Sequence, residues 1–490
     1  YHVRFDRRTG PATRIEVVTE GILLQRLLHD PFLDSVQAVV FDEFHERNVN
    51  SDLALGMVRQ VQQAVRPELQ IVVMSATLDP RPIARFLGDC PVVECDVPRY
   101  PVQVSYSAPD AGQPIAGSTG AGVREMLEHT SGDILAFLPG LREIRQTSQL
   151  LATTAEQRNL RILPLYGDLP TKKQDVVFER CDQRRVVLAT NVAETSLTLD
   201  GITAVVDSGW VRQSQFDSRV GLDRLRLVPI SQASADQRTG RAGRTGPGAC
   251  LRLWDERTHR TRPLREEAEI RRVDLCGAVL CLLGWIDADL DAFPWFEKPR
   301  AESLHHAREL LRQLDAVNDG GITDLGRRLA RLPLHPRLGR LLLKGTEHGC
   351  VAQSALAAAI LSERSPFARS ESDRSRDPRN GPHSDSDLWD RVAALELFER
   401  NGRLASQRGQ LQAGPARWVL RTRDQLLRQV RRPSRREPSS PSAKDHADVP
   451  QDARTAFQRI LLAAFPDRLA KRREPGSRRG LMVGGRGVRL

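Results

Sequence analysis

Short apolar runs that stop abruptly at small polar or acidic residues recur along the first half of the chain, and they restrict its fold more than any other feature. Residues 38–41 (AVVF) run into Asp42-Glu43, residues 71–74 (IVVM) into Ser75-Ala76-Thr77, and residues 15–18 (IEVV) into Thr19-Glu20-Gly21. Helical patterns lie between them, at residues 22–28 and 53–65. The runs are too short for helices and rich in β-favouring residues, so each reads as a strand, with residues 38–41 expected to be buried. Strands alternating with helices make βαβ units and a parallel sheet, whose polar switches line up along one edge, where ligands bind.

The pattern repeats from about residue 98 to 255. Residues 134–138 end in Pro139-Gly140, residues 162–165 in Tyr166-Gly167-Asp168, residues 186–189 in Thr190-Asn191, and residues 204–206 in Asp207-Ser208-Gly209. A second α/β domain of similar size is expected, with the Pro/Gly/Ser-rich residues 108–122 as a loop. Two such domains in tandem create a cleft between their edges, the usual place for a large ligand. Residues 210–231 alternate polar and apolar around residues 218–221, which predicts a projecting β-hairpin. Beyond residue 256 the strand signals fade. Residues 270–286 and 301–314 read as helices, and residues 322–334 continue a small domain. Residues 337–430 are mostly helical, broken by a Ser/Arg/Asp-rich segment at 362–387 that reads as a solvated loop. Residues 431–450 are low-complexity and basic, hence a linker, followed by a helix at 454–464 and a glycine-rich turn at 484–487. Domain boundaries are expected at 1–95, 96–256, 257–336, 337–430 and 431–490.

Composition narrows the class. Hydrophobic residues make up 40% and charged residues 28%, as in globular proteins with apolar cores. The longest apolar stretch, residues 275–286, is too short to span a bilayer, so no membrane partner is expected. No signal peptide opens the chain. Its seven cysteines form no C-x-x-C pair, which argues against zinc and disulfides and for a reducing cytoplasm. A net charge of +11 makes nucleic acid the default partner, although arginine carries nearly all the excess and GC-rich genomes also favour arginine. Residue 1 is Tyr, so the chain is expected to be a piece of something longer.

Two stretches carry chemistry. In the first, Asp42 could hold a magnesium ion through its water shell, and Glu43 could take a proton from an attacking water. A lone acidic pair is equally a solvated turn. In the second, residues 237–244 (QRTGRAGR), a helical reading places Gln237, Arg241 and Arg244 at i, i+4 and i+7 on one face. Two guanidinium groups on a face can grip oxygen anions, and Gly240 and Gly243 let another backbone or a phosphate come close. The plain alternative is a solvated arginine face.

Taken together, the motifs resemble those of superfamily 2 helicases of the DEAH/RHA type. DEFH (42–45), SAT (75–77), TNVAETSLTLDGI (190–202) and QRTGRAGR (237–244) look like motifs II, III, V and VI of that family. TEGILL (19–24) resembles motif Ib and FLPG (137–140) motif IV. The DEFHER variant and the tail AAFPDRLAKRRE…GRGVRL resemble the bacterial HrpB subgroup. The resemblance implies an α/β fold of tandem RecA-like parallel-sheet domains, followed by a winged-helix domain and a helical ratchet-like domain. It implies an NTPase that uses ATP or another NTP with Mg2+ and moves 3′ to 5′ along single-stranded RNA as a monomer, and it names no protein partner.

Residue roles follow from the same resemblance. Asp42 would hold the metal, Glu43 would activate water, and His45 would link the metal site to the second domain. Gln237, Arg241 and Arg244 would reach the γ-phosphate. Ser196 would sense the nucleotide, with Thr198 and Asp200 near the ribose. Phe178 would stack on the base, or could be ordinary core. Ser75 and Thr77 would couple hydrolysis to domain motion, and short hydroxyls there could also be caps. Thr19, Gly140, Thr190 and Asn191 would contact the RNA backbone.

The family's phosphate loop, G-x-x-x-x-G-K-[ST], is not found. No Gly-Lys-Ser or Gly-Lys-Thr occurs, and Lys172, Lys173 and Lys344 have the wrong context. The loop is expected to precede Tyr1, and these 490 residues alone are expected to turn over ATP poorly. Two other readings stay open: a non-catalytic nucleic-acid-binding module, and a related motor acting on DNA.

Overall fold

The computed structural model describes residues 1–490 apart from 4–5, 77–78, 96–99, 168, 180, 195–198, 218–221, 287–288, 364, 368–385, 407–408, 432–452, 484, 486 and 490. The chain forms two compact units. One comprises residues 36–274 with 295–299; the other comprises residues 1–35, 275–294 and 300–490.

The chain opens with the two-residue strands β1 (His2–Val3) and β2 (Asp6–Arg7) and the helix α1 (Glu20–His29). Residues 15–18 do not form the expected strand. Only Val18 bridges to His2, while Ile15 and Val17 point outward, 85% and 70% exposed. The alternation there is real, but among the described residues no strand covers the Ile15 and Val17 side chains.

In the sheet unit, β3 (Ala38–Phe41) and β4 (Gln70–Val73) pair in parallel, Phe41 opposite Val73. Helix α2 (Val49–Ala64) connects them, its first turn capped by the Asn48 side chain, which accepts from the Ser51 amide at 2.8 Å. This is the expected βαβ unit. The expectation that residues 38–41 are buried needs correction: Val39 and Phe41 are buried, but Val40 is 54% exposed. An apolar run of four does not reveal which of its two faces is covered.

Helix α3 (Pro80–Phe86) leads to the larger sheet. Its strands are β5 (Val102–Tyr106), β6 (Asp133–Phe137), β7 (Arg161–Leu165), β8 (Arg185–Ala189), β9 (Ile202–Asp207) and β12 (Gly248–Arg252). All pair in parallel, in the order β5-β12-β9-β6-β8-β7. Here both faces are covered. Ile134 and Ala136 pack into one core with Val123 and Ile144, and Leu135 and Phe137 into another with Leu165 and Ala193. That explains why these strands read as continuous apolar runs. The connecting helices are α4 (Ile115–His129), α5 (Leu141–Leu150), α6 (Ala152–Arg158), α7 (Thr171–Phe178), α8 (Gln232–Gly240) and, after β12, α9 (Glu256–Thr261).

The loop expected at residues 108–122 ends at Pro114, where α4 begins. Its glycines misled the reading. A Cβ at Gly122 would lie 3.1–3.2 Å from Leu251, Val206 and Leu253, so this glycine lets the helix lie close on the sheet. Residues 210–231 form the expected hairpin, β10 (Trp210–Asp217) antiparallel to β11 (Leu222–Pro229). The turn residues 218–221 lie outside the described residues.

The expected helix at 270–286 is broken, its first part in the sheet unit and the rest in the other. A short 3-10 turn, Glu269–Arg271, and a few irregular residues precede α10 (Cys276–Ile286). The intervening backbone bonds the hairpin instead: the Phe216 amide donates to the Arg272 carbonyl at 2.5 Å, and the Asp274 amide to Asp223 at 3.0 Å. Then come α11 (Ala301–Gln313), the small hairpin β13 (Val317–Asn318) and β14 (Gly321–Ile322), and α12 (Asp324–Ala330). Helices α13 (Pro336–Glu347), α14 (Val351–Ser362), α15 (Asp387–Asn401), α16 (Ala413–Arg431) and α17 (Ala453–Ala464) follow. Most of the expected loop at 362–387 and of the linker at 431–450 lies outside the described residues. Near the C-terminus lies a three-stranded antiparallel meander, Ala470–Arg472, Arg479–Met482 and Gly487–Arg489; of the expected turn at 484–487, residues 484 and 486 lie outside the described residues and Gly487 opens the last strand. Among the described residues, no helix is long and apolar enough to cross a membrane.

Candidate nucleotide site

Strands β3 and β4 stay tied beyond their ends. The Met74 amide donates to the Phe41 carbonyl at 2.8 Å and the Phe44 amide to the Met74 carbonyl at 3.1 Å. Asp42-Glu43 and Ser75 therefore leave the sheet at one edge, the expected alignment of polar switches. Between them the chain makes a single tight turn, Phe44–Glu46, flanked by two residues in the left-handed region, Glu43 (φ 48°) and Arg47 (φ 47°). Each such residue costs about 1 kcal/mol without a glycine, so the surroundings must hold the turn in place. Phe44 does part of this, fully buried with its ring 6.3 Å from Phe41 and 5.6 Å from Phe296.

The carboxylates are presented bare. Asp42 is exposed and accepts only the Glu43 amide, at 2.8 Å, and among the described residues no lysine or arginine pairs with either acid. His45 Nδ1 lies 3.4 Å from Glu43 Oε2, yet neither ring nitrogen makes a hydrogen bond among the described residues, although the side chain is 6% exposed. Hard oxygen donors without a cation, next to an unsatisfied imidazole, fit a hydrated divalent ion at Asp42.

The basic stretch behaves differently from its helical reading. Helix α8, capped by Ser231 accepting from the Ser234 amide, ends at Gly240. Arg241 and Arg244 lie in the turn beyond it, so they do not share a helical face with Gln237. The cause is the neighbouring backbone. The Gly243 carbonyl accepts from the Tyr100 amide at 3.2 Å, and a Cβ at Gly243 would lie 2.6 Å from the Tyr100 carbonyl oxygen. The glycine admits another backbone, as expected. Arg241 is buried and donates through Nε to the Glu194 carbonyl at 2.9 Å, whereas Arg244 is exposed and Gln237 half-buried.

Sequence reasoning passed over Arg238. It is 1% exposed, donates to Glu194 Oε2 and to Asp207 Oδ1 at 2.9 Å each, and lies 4.8 Å from the Phe137 ring centroid. Burial alone would lower its pKa, but Asp207 and Glu194 outweigh burial and hold it above the usual arginine range. The residue before it, Gln237, was singled out, and nothing in the spacing distinguishes the buried arginine from its neighbours. Asp207 carried the only signal, as an acid closing an apolar run.

The remaining candidates are scattered. Gly140 follows β6 and is buried where Arg212 pairs with Glu143 at 2.7 and 3.0 Å. Thr190 and Asn191 follow β8 at the same sheet edge, the first half-buried, the second exposed. Phe178 ends α7 at 42% exposure, which excludes the ordinary core reading. Asp200 is exposed, as is Ser75. Thr19 is exposed at the start of α1, in the other unit, with no side-chain cap bond. Thr77, Ser196 and Thr198 lie outside the described residues.

Comparison with known proteins accounts for this arrangement. Residues 121–246 match the helicase conserved C-terminal domain, residues 307–334 the winged-helix part of the helicase-associated domain HA2, and residues 335–440 its ratchet-like part. A crystal structure of the Escherichia coli DExH-box NTPase HrpB superposes with a TM-score of 0.79 at 34% identity, over 100% of this chain and 54% of that one. The chain belongs to the DEAH/RHA-type superfamily 2 helicases. Its tandem sheets are thus RecA-like, followed by winged-helix and ratchet domains. Among relatives of this DEAH/RHA chain, the ATP-dependent RNA helicase HrpB of Escherichia coli K12 is 39% identical over 365 residues, 74% of this chain and 45% of that protein. The ATP-dependent RNA helicase HrpA of the same organism is 38% identical over 380 residues, 75% of this chain and 29% of that protein. The pre-mRNA-splicing factor ATP-dependent RNA helicase prp22 of Schizosaccharomyces pombe is 38% identical over 79% of this chain and 34% of its own length. The chain spans less than half the length of these curated relatives.

Proposed function

We propose that this DEAH/RHA-type chain serves an ATP-driven motor that moves 3′ to 5′ along single-stranded RNA and opens duplexes. The observation that carries the reading is the acidic turn: Asp42 exposed and Glu43 half-buried at a parallel-sheet edge, neither paired with lysine or arginine among the described residues, with the buried His45 ring beside them. Asp42 would hold Mg2+ through water, which when bound neutralises charge on the β- and γ-phosphates of the substrate. Glu43, with no lysine or arginine to occupy its carboxylate among the described residues, takes the proton of the attacking water. Arg244, exposed just past α8, and Arg241, fixed to the Glu194 carbonyl, supply positive charge for the γ-phosphate, with Gln237 alongside.

Phe178 offers an exposed ring face to a base. Stacking reads no base edge, so any NTP should serve. Ser196, Thr198 and Asp200 would meet the nucleotide, and Ser75 and Thr77 would couple hydrolysis to motion. Thr19, Gly140, Thr190 and Asn191 would grip the RNA backbone without reading sequence. None of the seven cysteines forms a disulfide, which supports a reducing cytoplasmic setting. The five domain boundaries of the sequence reading are retained as part of this proposal, as is a monomeric state.

These 490 residues contain no Gly-Lys-Ser or Gly-Lys-Thr, so alone they should hydrolyse ATP poorly, and the test belongs on the full-length gene product. There, Glu43→Gln is expected to lower RNA-stimulated turnover by about 10²- to 10⁴-fold while RNA binding persists. Unchanged turnover would remove Glu43 from its role. RNA binding indifferent to ATP would favour the non-catalytic module, and equal unwinding from DNA tails would extend the substrate to DNA.

A further inference from the structure

The residues that follow α9 run past both the hairpin and the acidic turn, and their polar contacts are not absorbed by the nucleotide site. Arg262 donates to the Gly209 and Ile230 carbonyls at 2.9 Å each, pinning the root of the β10–β11 hairpin. Farther along, the Arg272 guanidinium donates to the Ser214 carbonyl at 2.7 Å, and its own carbonyl accepts the Phe216 amide at 2.5 Å. Both hairpin residues lie toward the tip end of β10.

The same segment holds the acidic turn from the other side. The Glu269 amide donates to the Arg47 carbonyl at 3.0 Å, and Glu269 Oε2 accepts the Val49 amide at 3.2 Å, at the first turn of α2. Glu269 Oε1 is 3.3 Å from Arg272. One carboxylate thus bridges the start of α2 and the arginine that grips the hairpin. Arg47, the left-handed residue that closes the acidic turn, is locked by its side chain. It donates to both oxygens of buried Asp52 at 2.9 and 2.8 Å and to Glu297 at 3.0 Å, and lies 4.6 Å from the Phe296 ring centroid. Every residue named here belongs to the compact unit of residues 36–274 and 295–299.

We propose that Arg47, Glu269 and Arg272 are positioning residues, through which the place of the β10–β11 hairpin sets the conformation of the acidic turn Asp42–His45. The physical basis is the strain at both ends of that turn. Two non-glycine residues sit in the left-handed region, so the turn relaxes unless its exit is held, and Glu269 and Arg47 hold it. A shift of β10 moves Arg272 and, through Glu269, the hydrogen bonds at the Arg47 carbonyl and the Val49 amide. Glu43 and His45 then move with the hairpin. The connection is a continuous chain of hydrogen bonds and ion pairs in which no substrate takes part.

The inference rests on the reading of Glu43 as the catalytic base, and its test separates the two. In the full-length protein, Arg272→Met is expected to lower RNA-stimulated ATP turnover and unwinding of a 3′-tailed RNA duplex about tenfold each, with thermal stability close to the parent's. Arg272→Lys, which keeps a cation, should restore part of the unwinding. Unwinding at parental rates in Arg272→Met, or loss of turnover in step with thermal stability, would overturn the proposal. Amide exchange on the same variant needs no activity. Faster exchange in both residues 44–52 and β10 supports the link, and faster exchange confined to β10 overturns it. Absence of ATP turnover in the parent would instead sink the functional reading and leave the exchange result standing.

Discussion

Among single residues, the buried arginine of α8 ties two acids of the second sheet together, and the proposed chemistry rests on the acids that follow β3. Arg238 satisfies Glu194 and Asp207 at once, and Asp207 also accepts the Gly209 amide at 2.8 Å where the hairpin begins. Removing the cation strands two carboxylates away from water. Arg238→Met should therefore cost about 3–5 kcal/mol of stability, measured by urea unfolding. A change below about 1 kcal/mol would show that the two acids are paired or hydrated by other means. The place of Asp42 and Glu43 was legible in the sequence because they directly follow a short apolar run that reads as a strand, and the motifs downstream set them apart from a solvated turn. Arg238 was not, because its partners, Glu194 in the turn after β8 and Asp207 at the end of β9, meet only after the sheet forms.

At the scale of elements, the parallel strands and the hairpin were readable from period and punctuation, while the errors arose where glycine has two meanings. In α4, Gly117 and Gly122 look alike in sequence but occupy opposite environments. A Cβ at Gly117 would meet only the Gln113 side chain at 3.8 Å, whereas at Gly122 it would press on Val206, Leu251 and Leu253. Gly117→Ala should stabilise the fold by about 0.5–1 kcal/mol through helix propensity. Gly122→Val should destabilise it by about 1–3 kcal/mol through overpacking, both read from thermal or chemical unfolding. Equal effects would mean that α4 does not lie on the sheet as described. Helix ends have a related cause: α8 stops at Gly240 because the next turn is claimed by the backbone of Tyr100, whose amide bonds the carbonyl of Gly243, 143 residues away in sequence, a contact that no local pattern contains. Breaks such as the one before α10 have the same origin, since the hairpin takes the hydrogen bonds that a helix would have used.

At the scale of the molecule, one compact unit carries the acidic turn, the basic turn and the hairpin together. Family membership was legible because the motif order survives in a single reading of the chain, and the winged-helix and ratchet matches extend it beyond the sheets. The C-terminal meander escaped notice, its strands being only three or four residues long and rich in arginine. The central claim is that Glu43 and the arginines after α8 act on one triphosphate, and a double-mutant cycle on RNA-stimulated ATP turnover of the full-length protein tests it most directly. Exposed Arg244 is the partner of choice because its replacement leaves the core intact. Glu43→Gln and Arg244→Ala should each slow turnover by about 10²-fold or more, and the double variant should be little slower than the worse single one, because both stabilise the same transition state. Losses that simply multiply, or an Arg244→Ala variant as fast as the parent, would contradict it.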